Sequence, residues 1–201
     1  MTKKNNAIAH KKRTIWKELR LAFLTSWEYL RASVRYRKIA PAVTVFGSAR
    51  FEPDHPYSKM AEQIGAELAK NGLTCITGGG PGIMQAAHRG SHEAGGVTAG
   101  ANIVLPFEEK ANPHMQVSFE FSYFFIRKVM LTKYSHGFII FPGGFGTMDE
   151  LFEVATLVQT KRLRTMPVIL MGVEFWTPLL EFLKQSMVTG KTISPEDTDY
   201  F

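Results

Sequence analysis

Within the 201-residue chain, the run Pro142-Gly143-Gly144-Phe145-Gly146-Thr147-Met148-Asp149-Glu150 gathers glycines, a hydroxyl and two carboxylates in one short stretch. The apolar Phe138-Ile139-Ile140-Phe141 just before it reads as a buried strand, and a helix is expected to begin near Thr147. Glycines let backbone N–H groups close on a ligand. The first turn of a helix leaves its N–H groups without intrahelical partners and partly positive. Strand, glycine turn and helix in that order build an anion site, and a phosphate is its natural occupant. A carboxylate beside a phosphate points to chemistry on a phosphorylated molecule. Asp149 and Glu150 are adjacent on the helix, so they point about 100° apart and do not form a facing acid–base pair.

Two more glycine turns, Gly47-Ser48-Ala49-Arg50 and Gly78-Gly79-Gly80-Pro81-Gly82, each follow an apolar run that reads as a strand. Pro142–Thr147 is not a Walker loop, because no lysine precedes Thr147, and neither it nor Gly78–Gly82 has the G-x-G-x-x-G spacing of a dinucleotide site. Tight strand-to-helix geometry alone would explain one such turn. Several of them with charge nearby favour a phosphate or nucleotide site. Arg127 and Lys128 lie on the helix that leads into the 138–141 strand. Taken alone they read as an exposed basic pair; beside the glycine turn, Arg127 suits bidentate phosphate contact. His88 and His92 stand one helical turn apart, but no third ligand is evident and they are taken as structural or surface residues. Phe124-Phe125-Ile126 reads as core rather than as a base-stacking platform. Cys75, the single cysteine, excludes an internal disulfide and reads as a small buried hydrophobe.

These residues must be held by elements that alternate along the chain. A helix is expected from Thr14, with Trp16, Leu19, Phe23, Trp27, Leu30 and Val34 forming one apolar stripe that must pack on the domain or on a second subunit. Strands are expected at 42–46, 73–77, 97–105, 138–141 and 168–171. Helices are expected at 58–70, from the 78–82 turn to 94, and at 123–134, 147–162 and 177–188, with residues 194–197 starting one more. Residues 106–116 form the longest loop. The pattern predicts an α/β, Rossmann-like domain with a mostly parallel sheet flanked by helices, its ligand at the C-terminal strand ends. Residues 1–40 make a basic arm and amphipathic helix, and residues 41–201 the nucleotide-binding catalytic domain.

Charge follows the same division. Residues 1–40 hold 11 Lys and Arg against 2 Glu, and the remainder 13 against 16, so the arm carries +9 and the rest −3 of the net +6. A weak contact between residues 1–38 and an anionic surface is one reading, and a solvated helix face the other. No apolar stretch approaches the ~20 residues of a membrane span, no signal peptide stands out, and a cytoplasmic protein is expected.

Together, Arg127-Lys128 and the P-G-G-x-G-T-x-x-E element at 142–150 resemble the signature of the Lonely Guy family. Gly78-Gly79-Gly80-Pro81-Gly82-Ile83-Met84 is similar to that family's other glycine loop, and Gly47-Ser48 to its first-strand turn. The resemblance covers about residues 42–190. It implies a phosphoribohydrolase that cuts the N-glycosidic bond of nucleoside or cytokinin riboside 5′-monophosphates, releasing free base and ribose 5-phosphate. On that resemblance Glu150 and Arg127 are the catalytic pair. The implied binding set comprises Gly143, Gly144, Phe145, Gly146, Thr147, Lys128, Asp149, Ser48, Gly79, Gly80 and, further along the helix, Thr156. It also implies no metal, no cofactor and a homodimer. The alternative is a non-catalytic binder of phosphate, nucleotide or molybdenum cofactor, since such carriers look similar in fold. Residues 106–116 are expected to line the base pocket.

Overall fold

In the computed structural model, residues 14–39, 41–103 and 112–201 are described. The basic residues 1–13, and 104–111 with most of the expected base-pocket loop and the end of the strand expected at 97–105, lie outside them.

Six strands pair in parallel in the order β4-β3-β2-β1-β5-β6. They are β1 (Ala42–Phe46), β2 (Thr74–Thr77), β3 (Thr98–Ile103), β4 (Val117–Phe121), β5 (Ser135–Ile140) and β6 (Val168–Leu170). The chain moves outward from β1 to β4, then returns to place β5 on the other side of β1. The strand order therefore reverses between β1 and β5, where a crevice opens at the carboxyl ends of an open α/β sheet. Successive strand residues face opposite sides. Phe138 and Ile140 pack under α1 (Ile15–Tyr36), α4 (Phe124–Lys133), α5 (Phe145–Gln159) and α6 (Val173–Phe182). Ile139 and Phe141 pack with Cys75 under α2 (Pro56–Lys70) and α3 (Ile83–Glu93). Burial on both faces explains why the central strands read as continuous apolar runs rather than alternating ones.

Three differences from the sequence reading have physical causes. Strand β4 lies where the sequence shows only loop leading into helix. It is an edge strand whose buried Phe119 and Phe121 alternate with exposed Ser118 and Glu120, a pattern too short to stand out from polar flanks. Helix α5 begins at Phe145 rather than Thr147, with Gly144 at its N-cap. Helix α6 begins at Val173 rather than Thr177, because left-handed Gly172 (φ 94°) turns the chain directly into it.

The largest difference concerns α1. Its apolar stripe does not pack on the domain. Trp16 is 77% exposed and Phe23 69%, while the turned-in positions are Tyr29, Ala32, Ser33 and Tyr36. The helix is tied down through polar groups: Lys133 donates to the Tyr29 hydroxyl, Tyr134 to the Ser33 carbonyl, and the Ser122 N–H to Glu28.

Candidate functional site

The crevice between β1 and β5 holds a cavity of about 850 Å³. Its walls come from the turns after three strands: residues 46–50 after β1, Gly78 after β2, and residues 143–150 after β5, with Met84, Phe124 and Arg127 closing the sides. Backbone bonds lock two turns together. Ser48 N–H donates to Pro142 O and Phe141 N–H to Phe46 O. That volume suits a nucleotide-sized ligand.

The end of the cavity suited to an anion is the start of α5. The first N–H groups of the helix, from Phe145 on, have no carbonyl four residues back to take them, and the helix dipole adds partial positive charge. Gly143 is required by close approach: a Cβ there would strike the Thr147 side chain, which folds back beneath the turn and is buried. Thr147 fits because its small hydroxyl-bearing side chain occupies the space that the glycine leaves.

Arg127 reaches the site from the first turn of α4, and every arm of its guanidinium is placed. Nε donates to the Ala101 carbonyl of β3 at 2.8 Å, Nη1 to Glu150 Oε1 at 3.1 Å, and Nη2 lies against Gly78, where a Cβ would displace it. Only 15% of the Arg127 side chain and 6% of the Glu150 side chain remain exposed. The second carboxylate oxygen of Glu150, Oε2, is buried without a hydrogen-bond partner among the described residues. Burial pushes the Glu150 carboxyl up to about 7, against the pull of Arg127, which favours the ionised form. One carboxylate oxygen is thus anchored by Arg127 and the other is buried at the cavity wall, a combination that marks candidate functional carboxylates.

The remaining expected residues divide. Ser48, Gly143, Gly144, Phe145, Gly146, Thr147 and Asp149 line the cavity with Arg127 and Glu150. Lys128, Gly79, Gly80 and Thr156 do not. Lys128 turns away to bridge Asp149 at 2.8 Å and Glu153 at 3.2 Å, so its charge is taken up by α5 rather than offered to a ligand. The hydroxyl of Thr156 donates to Phe152 O, on a helix turn beyond the cavity. Left-handed Gly79 (φ 80°) packs where Asn102 leaves no room for a Cβ, a backbone requirement of the turn.

Sequence reasoning missed Phe124. Expected in the core with Phe125, it is 57% exposed and forms a cavity wall, because α4 starts there and its first residue projects past the sheet edge. Phe125 is 60% exposed as well; of the triplet only Ile126 is buried. His88 is buried, bonded to Ala99 O and Asn112, and burial lowers its pKa to about 4; His92 contacts Gln116. Both serve the packing of α3 against the start of the β4 segment. Among the described residues no three His, Cys, Asp or Glu side chains gather as a metal site requires, and no helix is long and apolar enough to cross a membrane.

Residues 84–201 match the family model described as "Possible lysine decarboxylase". A rice (Oryza sativa subsp. japonica) protein named "Probable cytokinin riboside 5′-monophosphate phosphoribohydrolase" is 34% identical over 69% of this chain and 57% of its own length, so the chain spans less than two thirds of that relative. Among solved structures, the X-ray structure of TM1055 superposes with a TM-score of 0.58 at 28% identity, over 78% of this chain and 88% of that one. The molybdenum cofactor carrier protein of Chlamydomonas reinhardtii gives 0.51 at 27% identity, over 65% and 75%. With the family model matched across more than half of its length and a named phosphoribohydrolase aligned over two thirds of it, the chain belongs to the Lonely Guy family.

Proposed function

We propose that the protein hydrolyses the N-glycosidic bond of nucleoside 5′-monophosphates, cytokinin riboside monophosphates included, to free base and ribose 5-phosphate. The observation behind this reading is the state of Glu150: one oxygen held by Arg127, the other buried and unpartnered, a few residues from the N–H groups that open α5.

The chemistry follows from that arrangement. The N–H groups at the start of α5 take the 5′-phosphate and fix the ribose against the cavity wall. As the bond from C1′ to the base nitrogen breaks, the electron pair leaves with the base and the sugar develops oxocarbenium-like positive charge. The open oxygen of Glu150 stabilises that charge, either attacking C1′ or taking a proton from the water that does. Water supplies the oxygen that ends on C1′, and its proton goes to the base. Arg127, occupied on every arm by Ala101, Glu150 and the Gly78 turn, is placed to orient the carboxylate and keep it ionised near neutral pH. The exposed rings of Phe124 and Phe145 offer apolar walls to a base. Phosphate charge is met by N–H groups, so no metal is required.

The decarboxylase description of the family finds no support in the cavity, since no lysine is among the described residues that line it and Lys128 is bridged between two carboxylates. A carrier of molybdenum cofactor is the second reading, favoured by the fold shared with the Chlamydomonas protein. A single assay separates them. Release of base from nucleoside 5′-monophosphates in EDTA, with the matching nucleosides inert, supports the hydrolase. Absence of release from every monophosphate, with a pterin copurifying, supports the carrier.

A further inference from the structure

Helix α1 is amphipathic in the opposite sense to an ordinary surface helix. Ile15, Trp16, Leu19, Phe23, Leu24, Trp27, Leu30 and Val34 are all more than two-fifths exposed, whereas the face turned to the domain is lined by Tyr29, Ser33, Tyr36 and the carboxylate of Glu28. Trp16, Leu19, Phe23, Trp27, Leu30 and Val34 recur at three- and four-residue steps, so they form one stripe along 22 residues. A contiguous exposed apolar face marks an interaction site.

Charge identifies the occupant. Arg20 and Arg31 lie three and eight positions from Phe23, so they flank the stripe about 60–80° round the helix. Lys17 and Arg35 continue the same flank at about 120°. The two acids of the helix, Glu18 and Glu28, are five positions from Phe23, about 140° away on the side turned to the domain. Arg31 and Arg35 extend over the Phe119 ring into a groove of about 570 Å³, where Glu28 and Glu120 offset them. Lys17 and Arg20 have no such acid in that groove. Residues 1–13, leading directly into the helix, add Lys3, Lys4, Lys11, Lys12 and Arg13 and contain no acid, and Arg37 and Lys38 follow it. Two copies pairing through the stripe would bring together flanks that each carry Lys17, Arg20, Arg31 and Arg35 against Glu28, the one acid of the helix on that side. Anionic headgroups oppose them directly, while Trp, Phe and Leu enter the headgroup–acyl boundary, where tryptophan is enriched.

We propose that the outward face of α1 docks the protein on an anionic phospholipid bilayer surface, the helix lying in the plane of the interface. The domain then sits against the membrane through its sheet-edge side. Lysine and arginine supply long-range attraction that salt screens, and the stripe supplies the short-range part that salt does not.

The full-length protein is tested by cosedimentation with vesicles of phosphatidylcholine mixed with phosphatidylglycerol and with vesicles of phosphatidylcholine alone. Tryptophan emission is recorded in parallel, since Trp16 and Trp27 are exposed and Trp176 is buried. Sedimentation with the anionic vesicles only, a blue shift of emission, and a loss of at least about tenfold in partitioning for Phe23→Ser with Trp27→Ser support the proposal. Those positions are solvent-facing, so circular dichroism and thermal melting of the double variant are expected to match the parent. Two results overturn it: no partitioning onto anionic vesicles, or equal partitioning by parent and double variant, which would leave only a diffuse electrostatic contact. Light scattering without vesicles gives the third. If the double variant loses a subunit relative to a parent that ignores the vesicles, the stripe is an interface between copies.

Discussion

Replacing Glu150 with glutamine should stabilise the protein, and increasingly so as pH rises. The carboxyl titrates near its ordinary 4.5 in the unfolded chain and at about 7 when buried in the fold. Between those values the folded state holds a proton that the unfolded state has released. The folded state is therefore favoured at low pH, and the advantage is lost as pH climbs through about 7. Below 4.5 both states are protonated and the site contributes nothing to the pH dependence; above 7 both are ionised and the loss is complete. Integrated over the window, ionisation of Glu150 costs the fold about 1 kcal/mol at pH 5 and about 3 kcal/mol at pH 8. Glutamine does not titrate, so the stability gap between Glu150→Gln and the parent should widen by about 2 kcal/mol from pH 5 to pH 8.

Urea unfolding at the two pH values, followed by circular dichroism, measures that gap directly. The variant should retain the fold, since glutamine has the same shape and its carbonyl can still accept from Arg127. It should release no base from any monophosphate. A gap of equal size at pH 5 and pH 8 would refute the reasoning, because it would mean that the carboxyl titrates alike in both states and is not held out of water. A residue that is costly to the fold and indispensable to turnover is the expected signature of a functional carboxylate.

The remaining predictions concern the residues around it. In the parent, kcat/KM for base release should rise with pH through about 7 as Glu150 ionises; Arg127→Met should move that rise to higher pH, because the cation that favours the carboxylate is gone, and an unmoved profile would remove Arg127 from this role. Gly78→Ala should cut kcat by one to two orders of magnitude while costing no more than about 1 kcal/mol in unfolding, since the added Cβ meets only the far ends of Arg127 and Met84. Tyr36→Phe should be neutral or stabilising by about 1 kcal/mol, because the Tyr36 hydroxyl is buried without a partner among the described residues; a large loss of stability would reveal a partner for it. Quenched-flow analysis of the parent with a slow substrate should reveal a glycosyl-enzyme only if the open oxygen of Glu150 attacks C1′, and its absence assigns the carboxylate to the water.

The legibility of this fold in its sequence varies with how each element is held. Strands β1, β2 and β5 announce themselves as short apolar runs ending in glycine turns, because burial on two faces and a sharp exit into a helix both restrict residue type. The cavity follows from them: three turns at three strand ends must meet where the strand order reverses. Glu150 and Arg127 stand out through the motif they share with a family, yet their spacing of 23 positions gives no hint that they touch. That contact depends on α4 and α5 lying side by side, a tertiary fact. The same is true of Lys128, which reads as a ligand cation in one dimension and is bridged to Asp149 and Glu153 in three. Edge strand β4 is hidden because only one of its faces needs to be apolar.

Helix α1 shows where periodicity is least informative. A stripe at three- and four-residue steps establishes that a helix has an apolar face; it does not establish what the face meets. Here the domain is met by the other side, through Tyr29, Ser33, Glu28 and Tyr36, using hydrogen bonds to Lys133, Tyr134 and Ser122. Polar docking of that kind fixes orientation but buries little apolar area, so the energy available in Trp16, Phe23 and Trp27 remains for a second surface. If that energy were needed for folding, Phe23→Ser with Trp27→Ser would lower the thermal midpoint; if it serves docking, the midpoint stays and partitioning onto anionic vesicles falls. The two quantities move independently, and the exposed face of α1 predicts that only the second will change.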